Sequence, residues 1–342
     1  MSQSSDAFAV ADGSGATVRA AINADLQALV TLSSGSSAPS SPFAYQFWED
    51  TSTTPPTLRQ RNAGNTGWIV VGNSDGTANQ FNAAGLAGQC RLTVSSSTVL
   101  KLMPYNGNRV PLNGGAVSLP SGGVSATSSG TFVSGVGATG LAASTAYLVY
   151  LFNNGGTLAL DFWPIAGGHV TDTSAGNVGV EVRSNSGSPD STRTLVGAVL
   201  TNGSGQFQSN VGAVIGVANW FNRRTTVPGL LINASTSSTT IVQVGGSLTY
   251  FQWSDEESVC MTWFGTISMS TANGTLAAIG FGTTEYGGIA PSQPVAGVPI
   301  DTSLTFFSGG AGVEGFLSLN LIGQVGGGTA TYAGTLQAAC RC

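Results

Sequence analysis

The sequence predicts a mainly β protein: a short N-terminal helix and a small β unit, followed by antiparallel, jelly-roll-like β-sandwich domains. Three observations predict this class. Short runs of aromatic and β-branched residues recur along most of the chain, turn dipeptides such as Asn113-Gly114 and Asn154-Gly155 separate them, and one early stretch has the helical period. Strands at this spacing are typical of antiparallel sandwiches or barrels rather than of parallel sheets with crossover helices.

The composition excludes a disordered protein and argues against a nucleic-acid-binding one. The chain has 342 residues, which is room for two or three domains, and its 41% hydrophobic content excludes a disordered protein. Only 8% of its residues are charged, against roughly 25% in an ordinary globular protein. Such a surface must be covered by partners or hydrated by Ser, Thr and Asn. The net charge of −5 argues against nucleic-acid binding, which needs clustered Lys and Arg.

The termini and hydropathy indicate no targeting segment. The polar start of the chain lacks the basic region of a secretory signal, and no run approaches about 18 apolar residues. We therefore expect no membrane insertion, and a chain that is made in a host cytoplasm and stays there or is packaged.

Residues 1–32 predict an irregular arm and a helix. Apolar residues recur from Ala16 to Thr31 at helical spacing, and Ser14 or Thr17 can serve as the N-cap. This stripe either lies on the chain's own domain or forms a short bundle with two sister chains. Its members are Val18, Ile22, Leu26 and Leu29.

Residues 33–72 predict a flexible Ser-rich linker and a small β unit. Trp48, Trp68 and Phe43 are its expected core. A unit of under about 40 residues cannot bury a sufficient core alone, so we expect it to be stable only against copies of itself or a larger body. Asp50, Arg59 and Arg61 are expected to pair across subunits and set the docking register.

Two β domains are predicted beyond this unit, at residues 90–224 and 225–342. The alternation of side chains between the two faces of a strand is clearest in Gly315–Val325. The second domain has seven or eight candidate strands, a number typical of a jelly-roll-like sandwich. At the boundary lies a cluster that is either an inter-domain joint or a stacking site for an anionic sugar, where arginine and tryptophan both bind well. Its members are Trp220, Phe221, Arg223 and Arg224.

The residues offer little chemistry for catalysis. His169 is the only histidine and is expected on the surface of a loop, and no nucleophile elbow is present. Asp255-Glu256-Glu257 is the densest acidic cluster, but adjacent carboxylates rarely face each other across a groove. We therefore expect no enzyme activity, no metal and no cofactor.

The four cysteines leave two alternatives open. Cys90 and Cys260 are expected to be buried thiols. The terminal pair Cys340 and Cys342 either stays reduced or links neighbouring subunits after exposure to an oxidising medium.

Two stretches resemble known proteins. The first resembles a module near the N-terminus of tailed-phage fibre, spike and minor structural proteins. It carries Val18, Arg19, Ile22, Asn23, Tyr45, Trp48, Asp50, Thr51, Leu58, Arg61, Asn62, Asn65, Thr66 and Trp68. The second, from about Leu92 to Arg224, is similar to the body of phage structural proteins and includes the motif Leu102, Pro104, Tyr105, Asn106, Gly107 and Asn108.

The resemblance implies a virion component that forms a homotrimeric fibre or spike. Its N-terminal region, including Tyr45, would dock to other virion proteins of the tail, neck or head. Its distal β domain would meet a host receptor, such as a glycan. Two alternatives stay open: a head or neck decoration protein that stabilises the particle, and a polysaccharide depolymerase spike.

Overall fold

The computed structural model describes residues 9–53, 56–74, 79–81, 88–174, 177–254, 258–289, 292–293, 295–309 and 314–341. Strands account for 56% and helices for 6% of the structure, which confirms the mainly β class. The chain divides into two compact units, Met1–Leu86 and Ala87–Cys342.

The first unit consists of one helix and a four-stranded antiparallel sheet in the order β1-β2-β3-β4. Its elements are α1 (Gly15–Val30), β1 (Phe47–Asp50), β2 (Thr57–Arg61), β3 (Trp68–Ser74) and β4 (Asn79–Phe81).

The helix begins and ends close to where its pattern predicts. The Ser14 side chain accepts a hydrogen bond from the Thr17 amide and caps the N-terminus, and the helix ends at Val30. The buried residue of the helix is Ala28, whereas the larger apolar side chains of the stripe face solvent or are half-buried. The chain then turns back, and the Glu49 amide donates to the Leu32 carbonyl.

The first part of the second unit contains strands grouped in three sheets. They are β5 (Cys90–Ser96), β6 (Val99–Pro104), β7 (Arg109–Leu112), β8 (Gly115–Ser118), β9 (Val124–Thr127), β10 (Thr131–Val133), β11 (Val136–Thr139), β12 (Ala146–Asn154), β13 (Thr157–Pro164), β14 (His169–Thr171), β15 (Glu181–Asn185), β16 (Ser188–Leu200) and β17 (Val217–Asn219), with a short 3-10 helix at Ile165–Gly167.

An eight-stranded sheet occupies the middle of this unit and is buried on both faces. Its order is β11-β10-β13-β12-β16-β15-β14, with β17 on β16. Tyr147 and Val149 of β12 lie in one core with the small sheet β5-β6-β9, whereas Leu148 and Tyr150 lie in a second, larger core. Burial of both faces explains why β12 is a nearly continuous apolar run rather than an alternating one.

The remaining strands form two facing sheets. They are β18 (Thr225–Thr226), β19 (Gly229–Thr236), β20 (Val242–Gln252), β21 (Ser258–Met269), β22 (Asn273–Phe281), β23 (Thr284–Ile289), β24 (Ser292–Gln293), β25 (Ile300–Gly309), β26 (Gly315–Val325) and β27 (Ala330–Arg341).

These two sheets have the connectivity of a jelly roll. One contains β19-β27-β21-β25 and the other β20-β26-β22-β23. Counting the eight main strands from β19, the orders are 1-8-3-6 and 2-7-4-5, which is the double Greek key. The core between the sheets holds large side chains such as Trp263, Tyr250 and Tyr332. The predicted jelly-roll-like sandwich is confirmed.

The boundary predicted between residues 224 and 225 falls inside the second unit. The larger core draws Leu148, Tyr150 and Leu195 from before that boundary and the jelly-roll residues from after it. Backbone bonds also cross it, since the Ile215 amide donates to the Thr249 carbonyl.

Candidate functional site

The structure separates the four residues predicted at the domain boundary. Trp220 and Arg223 lie together in a cluster around His169, Phe221 packs against the smaller core, and Arg224 lies exposed beside Tyr105. The turn at Asn222 produces this split: its φ is 54°, and its side-chain amide donates to the carbonyls of Gly88 and Cys90.

His169 lies between two carboxylates. Its Nδ1 is 2.5 Å from an Oε2 of Glu181, and its Nε2 is 2.8 Å from an Oε2 of Glu314. Glu181 is on β15, which pairs with the strand of His169, whereas Glu314 immediately precedes β26 of the jelly roll. The predicted surface position of His169 is wrong, because its side chain is only 11% exposed between these partners.

This geometry fixes the protonation of the ring. Both nitrogens face carboxylate oxygens, so both donate and the ring is an imidazolium. Burial alone lowers the pKa of His169, but the hydrogen bonds to Glu181 and Glu314 outweigh it and raise the pKa to about 9. The same Oε2 of Glu314 also accepts the Ser254 amide at 3.3 Å, and the Thr171 hydroxyl donates to Glu181.

Aromatic rings enclose the imidazolium. Its centroid is 5.2 Å from that of Trp220 and 6.4 Å from that of Trp253, and the two indoles meet edge to face at 5.0 Å. The Arg223 guanidinium stacks over Trp220 at 4.2 Å and lies 5.1 Å from Trp253. The His169 cluster therefore joins the eight-stranded sheet to the jelly roll through ion pairs and rings together.

A second charged network lies on the eight-stranded sheet. Asp161, fully buried on β13, accepts from Arg193 Nε at 2.8 Å, Trp163 Nε1 at 3.0 Å and the Gly135 amide at 3.1 Å. Asp190 binds Arg183 and Arg193 on the same sheet. Burial raises the pKa of Asp190, but the hydrogen bonds from Thr192 and Arg183 and the charges of the two arginines outweigh it and leave the pKa lowered. Both acids are satisfied within the chain, so this network stabilises the sheet.

The docking candidates of the first unit divide into buried and exposed groups. Trp48 is buried and meets the half-buried Trp68 edge to face at 5.3 Å. Tyr45 is exposed, and so are the residues of the α1 stripe apart from the half-buried Val18. The exposed stripe residues are Ile22, Leu26 and Leu29.

The expected pairing across subunits stays a prediction for Arg61, whereas Asp50 and Arg59 already pair within one chain. Asp50 and Arg59 form an ion pair at 2.9 Å within one chain, because β1 and β2 are neighbours. Burial raises the pKa of Asp50, but hydrogen bonds from Ser52 and the charge of Arg59 outweigh it and leave the pKa lowered. Arg61 donates to the side chain and carbonyl of Asn65 and stacks on Trp68 at 5.3 Å.

Three of the four cysteines lie among the described residues. Cys90 is buried as predicted, whereas the predicted burial of Cys260 is wrong, because that thiol is half-buried. Cys340 is also a buried thiol. Cys340 lies in the larger core with its sulfur beside Thr226, so a bridge from it to another chain requires local opening. Cys342 lies outside the described residues, and so does the acidic run at 255–257.

Sequence reasoning missed several residues of the His169 cluster, namely Glu181, Glu314 and Trp253. A signal for Glu181 existed, since a carboxylate on the strand after a histidine strand is a natural cross-strand partner. Glu314 lies 145 residues from His169 and carries no such signal.

The residues that the structure describes contain neither a candidate membrane helix nor a candidate metal cluster. In this part of the chain, no helix has the length and apolar character that a membrane crossing requires. The same residues bring together no group of three or more His, Cys, Asp or Glu side chains in a metal-binding arrangement.

Comparisons with known proteins give only a distant likeness. No family model and no curated protein matches the sequence. Among solved structures, the chain is similar to infectious bursal disease virus Gt strain, with 16% identity, a TM-score of 0.25, and coverage of 59% of this chain and 54% of that one. It is similar to infectious bursal virus-derived T=1 particles, with 13% identity, a TM-score of 0.25, and coverage of 66% and 61%.

A mutant VP2 protein of infectious bursal disease virus in T=1 particles is similar at 12% identity and a TM-score of 0.26, with coverage of 74% and 67%. The chain thus spans between about half and two thirds of the length of these proteins. At these TM-scores the likeness carries no argument about function.

Proposed function

We propose that this chain is a structural protein of a virus particle, of the tailed-phage fibre or spike type, whose first unit associates with sister chains as a homotrimer. The exposed apolar stripe of α1 is the observation that carries this proposal. Ile22, Leu26 and Leu29 are 44%, 54% and 60% exposed, although they are the largest apolar side chains on that face. Spacings of four and three residues match the seam of a helical bundle.

Burial within its own chain gives α1 little support. Isolated helices shorter than about 12–15 residues are marginal in water, and α1, at 16 residues, is barely longer and has one buried side chain. Burying Ile22, Leu26 and Leu29 against sister chains would stabilise the assembly by about 1 kcal/mol for each side chain. The sum for one chain is below the free-energy cost of association, which is at least about 4 kcal/mol. Association therefore needs further apolar surface.

The first unit exposes further apolar side chains outside α1. Phe43 and Tyr45, which precede β1, and Ile69 on β3 are 52%, 64% and 56% exposed. The expectation that Phe43 lies in the core of this unit is therefore wrong. The charged residues Asp50 and Arg59 are paired inside the chain. The first unit therefore exposes apolar side chains on α1, before β1 and on β3, which favours contacts with sister chains and with other virion proteins.

A non-catalytic role is part of the proposal. The only histidine of the chain has both ring nitrogens bound to carboxylates, so neither nitrogen is available to take a proton from a nucleophile. This argues against catalysis by His169, whereas a depolymerase of the glycosidase type would use a pair of carboxylates instead.

The test is the oligomeric state of the full chain and of the triple variant Ile22→Gln, Leu26→Gln, Leu29→Gln, measured by sedimentation velocity. We expect a trimer for the wild type and a shift of at least tenfold in the association constant for the variant. The matched control is Leu231→Gln, because Leu231 is 77% exposed on β19, outside the first unit. A monomeric wild type, or a variant that associates like the wild type, overturns the trimer.

Negative-stain images of the purified protein test the fibre or spike shape. Elongated particles are expected, and compact monomers contradict it. Immunolabelling of intact particles then decides between a fibre and a decoration protein of the head or neck.

A further inference from the structure

Arg91, Tyr105, Asn106 and Arg224 form a group of hydrogen-bond donors that we name the Tyr105 cluster. Arg91 is on β5, Tyr105 and Asn106 directly follow β6, and Arg224 directly precedes β18. The pairing of Cys90 with Pro104 brings the first three together, and the bonds from Asn222 to Gly88 and Cys90 fix the strand end that carries Arg224.

Two guanidinium groups converge on the phenol of Tyr105. Their central carbons lie 5.5 Å (Arg91) and 5.0 Å (Arg224) from the ring centroid, and an Nη2 of Arg224 donates to the phenol oxygen. Because that oxygen already accepts, the phenol proton remains as a donor. The Arg224 bond is the main reason that the pKa of Tyr105 is lowered, with the Asn106 side chain adding to it.

Within the part of the chain that the structure describes, these cations lack an acidic partner. Among the described residues, the ion pairs of the chain hold Arg59, Arg183 and Arg193, and no carboxylate lies within ion-pair distance of Arg91 or Arg224. The Nε of Arg91 is also buried without a hydrogen-bond partner in that part of the chain. Burial, and then the nearby charge of Arg224, lower the pKa of Arg91.

Two like charges beside one ring are unfavourable unless an anion joins them. The cluster presents donors from guanidinium, phenol and amide groups. Arg224 and Asn106 are exposed, and Arg91 and Tyr105 are half-buried. Guanidinium groups bind oxyanions with short, charge-assisted bonds, and planar forks favour carboxylate, sulfate and phosphate groups.

We propose that the Tyr105 cluster is a binding site for a single oxyanion group, held by Arg91, Arg224 and the Tyr105 hydroxyl. The group is either a free inorganic anion or the acid group of a saccharide. The site is independent of the oligomeric state and of the place of the chain in a particle, so its failure leaves the proposed function untouched.

The experiment is isothermal titration of the full chain at constant ionic strength with sulfate, phosphate and glucuronate, and with glucose as the neutral comparison. We expect one saturable site per chain for at least one of the three anions, and no binding of glucose. Tighter binding of glucuronate than of sulfate or phosphate assigns a saccharide acid, and the reverse order assigns a free anion.

The variants separate this site from a general charge effect. Arg224→Gln, at an exposed position, should weaken binding by about 10- to 100-fold, the range for losing one hydrogen-bonded charge. Tyr105→Phe keeps the ring but removes the hydroxyl donor, and it should weaken anion binding less than Arg224→Gln does. The control Arg19→Gln removes an equal charge from exposed Arg19 on α1 and should bind like the wild type. No saturable binding of any anion, or equal binding by Arg224→Gln and the wild type, overturns the site.

Discussion

The His169 cluster makes the stability of the second unit depend on pH. His169 has a pKa near 9 in the folded chain and about 6.5 when exposed. Because the folded state binds the proton more tightly, the contribution is fully present below about pH 6.5 and is lost as pH rises through 9. Each pKa unit corresponds to about 1.4 kcal/mol, so the loss is on the order of 3 kcal/mol.

The assay uses the fact that the chain has one histidine. Its imidazole gives one Cε1–H NMR signal, and the titration of that signal in the folded protein should have a midpoint near pH 9. Urea unfolding followed by tryptophan fluorescence should show stability falling between pH 6.5 and 9, since Trp220 and Trp253 contact the ring.

Two variants set the controls. Glu314→Gln removes one carboxylate and should move the midpoint toward the ordinary value, and His169→Gln should remove the histidine part of the pH-dependent loss. A native-state titration near pH 6.5, or an equal pH-dependent loss in His169→Gln and the wild type, would refute the ion-pair account.

Three further predictions concern packing and burial. Gly265→Ala should lower the unfolding free energy by about 1–3 kcal/mol in urea titrations, because the added Cβ would lie 2.3 Å from the Ala333 carbonyl oxygen on the paired strand. The control Gly274→Ala, where the Cβ meets open space, should change it by under about 0.5 kcal/mol, and equal effects would contradict the steric argument. Asp161→Asn should cost about 3 kcal/mol in the same assay, since it removes the fully buried charge that pairs with Arg193 and leaves Arg193 only its ion pair with Asp190, while exposed Asp12→Asn should cost nothing measurable; a cost below about 1 kcal/mol would be inconsistent with a stabilising network. Iodoacetamide should modify half-buried Cys260 before Cys90, because burial raises the pKa of the Cys90 thiol to about 12, and peptide mass spectrometry showing the opposite order would count against that burial.

Much of the secondary structure was predictable from local patterns. Val99–Pro104, Thr131–Val133 and Gly315–Val325 are strands with the predicted bounds, and Asn113-Gly114 joins β7 and β8 with positive φ at both residues. Alternation and turn chemistry act between near neighbours, so the sequence alone carries them. Strands that were missed, such as β9, β14 and β19, are short or rich in small polar residues.

The sequence by itself determined the mainly β class, the capped helix with its apolar stripe and most strand positions. Only the tertiary structure decided which strands pair and what surrounds each polar residue. His169 shows the reason. Its sequence neighbours point at most to the cross-strand partner Glu181, and the pairing with Glu314 depends on how the jelly roll packs on the eight-stranded sheet. Long-range packing likewise brings Arg91 and Arg224 together at Tyr105, although 133 positions separate them in the sequence (224 minus 91).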